Sequence, residues 1–168
     1  MLRFNSDHKF KIMQIADTQE IPAVSPDTLS LINNALDREK PDLVIFTGDQ
    51  IKGYSKKFQK DPAIIEGTID TLVEPIAKRN IPFMVTYGNH DAQCGVDNRG
   101  QYKFYAKYDN FISGDLRNAD DVGTADIQIY SSTEDKPVFE LYIIDSHGKA
   151  KDGAGYAPVD KKQIEWYV

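Results

Sequence analysis

The stretch "DLVIFTGD", residues 42–49, decides the fold. Leu43, Val44, Ile45 and Phe46 are apolar without alternation, which reads as a short strand buried on both faces, as strands of parallel sheets are. Upstream, "FKIMQIA" at 10–16 reads as another strand, and it stops abruptly at Asp17. A carboxylate at the end of a buried strand is costly unless it has a partner or a task. Between these strands the spacing predicts a helix from Pro26 to Glu39, with Ser25 as cap, Pro26 in the first turn, and Leu29, Ile32, Ala35 and Leu36 as one buried stripe.

Downstream, Asp61-Pro62 opens a second helix running towards Arg79, with Pro75 as a place to bend, and "IPFMVTYGNHD" at 81–91 supplies a third buried strand. Two strand–helix–strand crossovers in succession predict a parallel, doubly wound α/β layer. After it, "NRGQYKFYAKYDNF" at 98–111 reads as helical. "DIQIYSS" and "PVFELYIID" read as an antiparallel strand pair joined by the turn-forming "TEDKP", and "PVDKKQIEWYV" begins a final helix. Trp166, Tyr167 and Val168 carry no helix stop signal, so the chain is expected to be the amino-terminal portion of something longer.

The 168 residues, 40% hydrophobic and 11% aromatic, suffice for a single domain spanning 1–168. With 26 acids against 20 bases the net charge is −6, and no Lys/Arg stripe tracks a nucleic-acid backbone. An acidic balance is also what a cation-binding cleft of carboxylates produces. The single cysteine, Cys94, rules out an internal disulfide and fits a reducing compartment. No stretch has a signal peptide's apolar core or the roughly 20 apolar residues of a membrane span, so the expected location is cytoplasmic, away from membranes.

In open parallel sheets, ligands bind outside the carboxyl ends of the strands. The first three strands here end in Asp17, in Asp49, and in Asn89-His90-Asp91, each one crossover apart, so all three should meet at one edge. Two carboxylates at close range repel unless a cation sits between them. An oxygen-rich site with an imidazole suits Mn, Fe, Zn or Mg, and a bridging carboxylate can hold two ions about 3.5–4 Å apart, clamping a phosphoryl group.

Asp17-x-Gln19, Gly48-Asp49 and "GNHD" at 88–91, in this order and spacing, resemble the motifs D-x-H, GD and GNH-D/E of the calcineurin-like metallophosphoesterase superfamily. "FKIMQIADTQ", "KPDLVIFTGDQI", "GNHDAQ" and "LYIIDS" look most like its branch related to purple acid phosphatases. The resemblance implies a layered α/β sandwich that hydrolyses a phosphate mono- or diester with a metal-activated water, using divalent or trivalent ions. It makes Asp17 a ligand of a first metal, Asp49 the bridge, and Asn89 a ligand of a second metal through its amide oxygen. His90 would donate a proton to the leaving-group oxygen or stabilise charge on the phosphoryl group, and Asp91 would orient that imidazole.

Two departures stand out. Where the family commonly has a histidine ligand this chain has Gln19, a neutral and weaker ligand, expected to bind metal weakly or through water. The family also takes ligands from a later histidine and a G-H-x-H motif, whereas the three histidines here are His8, His90 and His147, none in such a motif. His147 reads as a solvated turn residue or a substrate-side contact, His8 as surface, Cys94 as an inert thiol, and "YSKKFQK" at 54–60 as a solvated basic loop that could also attract phosphate. The rival reading is a non-catalytic α/β module that binds at most one metal weakly and associates through an exposed sheet edge or apolar face. A receiver-like or dehalogenase-like domain with Asp17 as phosphorylated nucleophile ranks lower, because "GNHD" has no task there.

Overall fold

The structure, a computed structural model, describes residues 1–117, 121–150 and 152–168. Its strands are β1 (Leu2–Arg3), β2 (Ile12–Ile15), β3 (Leu43–Thr47), β4 (Phe83–Thr86), β5 (Asp115–Leu116), β6 (Ala125–Tyr130) and β7 (Pro137–Ile143); its helices are α1 (Pro26–Glu39), α2 (Pro62–Ala77), α3 (Asn98–Ala106) and α4 (Lys161–Tyr167). A parallel sheet in the order β2-β3-β4 pairs Gln14 with Ile45 and Ile45 with Met84. A second sheet is built on β6, which pairs antiparallel with β7 along its length, parallel with β1 at one end and antiparallel with β5 at the other.

The expected helices form where their caps predict. Ser25 Oγ accepts from the Asp27 N–H and Asp61 Oδ1 from the Ala63 N–H, in each case with proline next in the chain. Alternate residues of β3 serve opposite layers. Val44 and Phe46 join Ile32 and Leu36 of α1 and Ile65, Ile69 and Leu72 of α2, while Leu43 and Ile45 join Leu2, Ala125, Ile129 and Ile143 of the second sheet.

The α/β sandwich with a parallel sheet and a later antiparallel pair is as the sequence implies. Its winding differs in one respect from a doubly wound layer. Because the order β2-β3-β4 never reverses, right-handed crossovers put α1 and α2 on the same face, and the β6-centred sheet covers the other. The helix expected over 98–111 ends at Ala106. Beyond it, the Asn110 carbonyl accepts the Phe83 N–H and Asn110 Nδ2 donates to the Ile81 carbonyl, so the chain leaves the helix to seal the start of β4. Helix α2 continues through Pro75 and ends two residues later. Among the described residues, no helix is long and apolar enough to cross a membrane.

On β6, Asp126 is pushed up from the ordinary carboxylate range by desolvation, then by Glu140 on β7 and by Asp115 on β5. A raised value in the folded state means its stabilising protonated form is complete below the unfolded value and is lost as pH rises through the folded one. Asp126→Asn is therefore expected to stabilise the protein near neutral pH by up to about 1 kcal/mol, roughly 1–3 °C in melting temperature, because like charges across strands cost that much. The gain should fade below about pH 3, where ordinary carboxyl groups are mostly protonated. Melting curves between those limits check it, and a gain that persists in acid would reject the electrostatic cause.

Candidate metal and phosphoester site

The three strand ends do meet. The Asp17 N–H donates to the Gly48 carbonyl at 3.1 Å, and the Gln19 N–H to the Asp49 carbonyl at 3.0 Å, which continues the β2–β3 pairing past both strand ends. Asp49 Oδ1 accepts the His90 N–H at 2.8 Å, tying in the loop after β4. Gly48 has φ +101°, and a Cβ there would lie 2.7 Å from Gly88 Cα. The two glycines let the Asp49 and Asn89 loops touch backbone to backbone.

Asp17, Gln19 and Asp49 all adopt left-handed backbone, with φ of 54°, 45° and 51°. Three such non-glycine residues at one edge hold their backbone where a side chain is less at ease than glycine. Asp17 is exposed and Asp49 buried. Among the described residues the Asp17 carboxylate, Asp49 Oδ2 and the Asn89 amide group make no hydrogen bond. These uncommitted oxygens fit a divalent ion held through carboxylate and amide donors. Among the described residues, no three His, Cys, Asp or Glu side chains group closely enough to hold a metal ion.

Asp91 differs from its expected role. It is buried, and its two oxygens accept four backbone N–H groups: Asp49 at 2.8 Å, Gly88 at 2.8 Å, Gln50 at 3.0 Å and Ile51 at 3.3 Å. The carboxylate staples the Asp49 turn to the Asn89 loop, and no oxygen is left to orient the imidazole. Burial pushes its pKa up to about 6, against the opposing pull of those N–H groups. Gln101 of α3 closes the staple from behind by donating from Nε2 to the Asp91 carbonyl at 2.8 Å.

Gln19 is not turned to bulk solvent. It is half-buried, and its Oε1 accepts from the Tyr54 hydroxyl at 3.4 Å. The Tyr54 ring in turn meets His90 edge-on at 4.7 Å. The basic loop that holds Tyr54 is anchored by Phe58, which is fully buried, although Lys56 and Lys57 are exposed. Cys94 is a buried thiol whose pKa burial raises, which suits an inert role. His8 is exposed, in a turn between β1 and β2, with Nδ1 3.0 Å from Ser132 Oγ.

Further polar residues lie beside the site, of which His147 alone was expected as a substrate-side contact. A cavity of about 600 Å³ is lined by Asn98, Arg117, Asp121, Asp145, His147 and Asp160, among others. Gly148 abuts Asn89, so this cavity adjoins the third strand end. His147 sits in a turn, half-exposed: its N–H donates to Asp145 Oδ1 at 2.7 Å and its Nε2 lies 3.6 Å from Asp160 Oδ2. Burial raises the pKa of Asp145, while hydrogen bonding from the Gln163 N–H lowers that of Asp160. "IID" at 143–145 repeats the strand-then-acid pattern of Asp17 and Asp49, a signal that could have pointed to Asp145.

The family model described as calcineurin-like phosphoesterase matches residues 10–166. The chain belongs to that family. Calcineurin-like phosphoesterases use divalent metal ions and act on phosphate esters, as the resemblance of the strand-end motifs implies. The chain is 28% identical to "Probable inactive purple acid phosphatase 14" of Arabidopsis thaliana, over 99% of its own length and 47% of that protein's. It is 31% identical to "Phosphatase DCR2" of Saccharomyces cerevisiae, over 98% of its own length and 32% of that protein's. The chain thus spans less than half the length of these curated relatives. Among solved structures it is similar in fold to a dimetal phosphatase from Danio rerio, with a TM-score of 0.54 and 16% identity over 94% of this chain and 50% of that one.

Proposed function

We propose that this chain carries part of a metal-dependent phosphoester hydrolase site, with Asp17, Asp49 and Asn89 as oxygen ligands and His90 beside the scissile bond. The observation that supports it is the set of uncommitted oxygens at Asp17, Asp49 and Asn89, brought to one edge by Asp91 and the two glycines. When bound, a divalent ion such as Mn, Fe, Zn or Mg supplies polarisation of the phosphoryl oxygens and acidifies a water towards neutral pH. The protein positions the ester, His90 gives a proton to the departing alkoxide, and Tyr54 and Gln93 hold that imidazole. The departing alcohol would extend towards the cavity at Asp145 and His147, next to Asn89. In this reading the protein works in the cytoplasm on a phosphate mono- or diester.

A second reading has its own support. Gln19 replaces a histidine ligand and hydrogen-bonds to Tyr54, and a relative is named inactive, which suits a module that binds one metal weakly without turnover. Strand β7 pairs on one side alone among the described residues, with Val138 and Phe139 exposed, and would be the edge for self-association in that case.

Hydrolysis of a generic aryl phosphate with each metal added separates the two. The first reading expects turnover that Asp49→Asn lowers about 100-fold or more, together with loss of the rise in melting temperature that the metal gives the parent chain. Metal-dependent stabilisation without any turnover would support the second reading, and neither effect with any of the four metals would overturn both.

A further inference from the structure

We propose that Gln93 is a positioning residue for His90, fixing the imidazole proton on Nδ1 so that Nε2 is the nitrogen presented to the cleft. The proposal deepens the hydrolase reading, which assigns His90 to the leaving-group oxygen, but it rests on contacts of this chain alone.

The Gln93 side chain spans two partners. Its Nε2 donates to the Asn89 carbonyl at 3.1 Å. A carbonyl can only accept, so this contact fixes which way the amide faces. The atom 3.1 Å from His90 Nδ1 is then Oε1, again an acceptor. Nδ1 must supply the hydrogen, and in the neutral ring Nε2 keeps its lone pair. The Gln93 N–H donates to the His90 carbonyl at 3.0 Å, closing a short turn over Asp91–Cys94 that keeps the two side chains together.

On the other side of the ring stands Tyr54, edge-on at 4.7 Å with its hydroxyl donating to Gln19. A half-turn of the imidazole would replace the Nδ1–H···Oε1 bond by a C–H facing the same oxygen. The ring therefore has one favourable orientation and one favourable tautomer, and Nε2 is the nitrogen that takes up a proton from solvent, giving the imidazolium, and hands it to the leaving-group oxygen, which returns the ring to its Nδ1–H form. An amide partner does this without placing a second negative charge beside Asp49 and Asp17.

The test uses the metal-free full chain with histidine labelled in ¹⁵N and ¹³C, studied by long-range proton–nitrogen correlation at roughly pH 9, where imidazoles are neutral. The parent is expected to show His90 with a protonated Nδ1 and an unprotonated Nε2. Gln93→Ala should move His90 to the Nε2–H tautomer that free imidazole side chains favour in water, leaving His8 and His147 unchanged. Gln93→Glu, which still accepts from Nδ1, should restore the parent pattern. A parent spectrum with Nε2 protonated, or a His90 pattern unmoved in Gln93→Ala, would overturn the proposal. The parent spectrum decides even where a variant folds poorly, and no step needs turnover, so absence of hydrolysis would count against the enzyme reading without touching this one.

Discussion

Replacing Asp91 by alanine is expected to destabilise the protein by about 4 kcal/mol or more, roughly 10–15 °C in melting temperature. Four backbone N–H groups end on this one carboxylate, and those of Asp49, Gln50 and Ile51 lie in the interior. Each N–H left buried without a partner costs about 1–3 kcal/mol. Against this stands the cost of burying the carboxylate itself, visible in its pKa of about 6. The loss of four acceptor contacts outweighs the relief of one desolvated charge. Asp91→Asn should fall between, because its single oxygen keeps some contacts while its NH₂ group faces donors. Urea and thermal unfolding measure both, and an alanine variant within about 1 kcal/mol of the parent would mean that water replaces the staple.

Gly48→Ala is expected to cost about 3–5 kcal/mol by a different route. Its φ of +101° disfavours any side chain, and the added carbon would press on the backbone N and Cα of Gly88, which cannot swing aside as a side chain could. Relief requires the Asp49 and Asn89 loops to separate, which breaks the bond from the His90 N–H to Asp49 Oδ1. Denaturation should show the loss, and amide shifts should move at 17–20, 48–52 and 88–91 together. Unfolding at the parent midpoint would show that the loops can part without penalty.

The parallel sheet was legible because Leu43 to Phe46 admit few alternatives to a strand buried on two faces, and because α1 and α2 announce themselves with a cap, a proline and an apolar stripe. What covers the second face was not legible. Leu2 and Ile129 lie far apart in the chain and become layer partners only once β1 pairs with β6. The early end of α3 escaped for a similar reason, since Asn110 chooses Ile81 and Phe83 over another helical turn. At the site, the positions of Asp17, Asp49, Asn89 and His90 followed from strand ends. The role of Asp91 did not, because an acid after a histidine looks the same in sequence whether it faces a ring or four amides. Gln93 stands three residues after His90, a spacing that brings the two side chains together in a tight turn, and it was legible in principle. The Asp145–His147 cavity was not, since it exists only where the end of β7 meets the start of α4.

The left-handed residues Asp17, Gln19 and Asp49 have a consequence for the protein's evolvability. Each holds its backbone in a conformation about 1 kcal/mol or more above that open to glycine, with aspartate bearing it more easily than glutamine. A laboratory selection that rewards only survival on heating would therefore drift first at Gln19, towards glycine or asparagine, and would loosen Tyr54 and then His90 as it did so. Thermal robustness and the ordering of Tyr54 and His90 pull in opposite directions at that residue. Variants recovered from such a selection would be hardier proteins with a less ordered His90 ring.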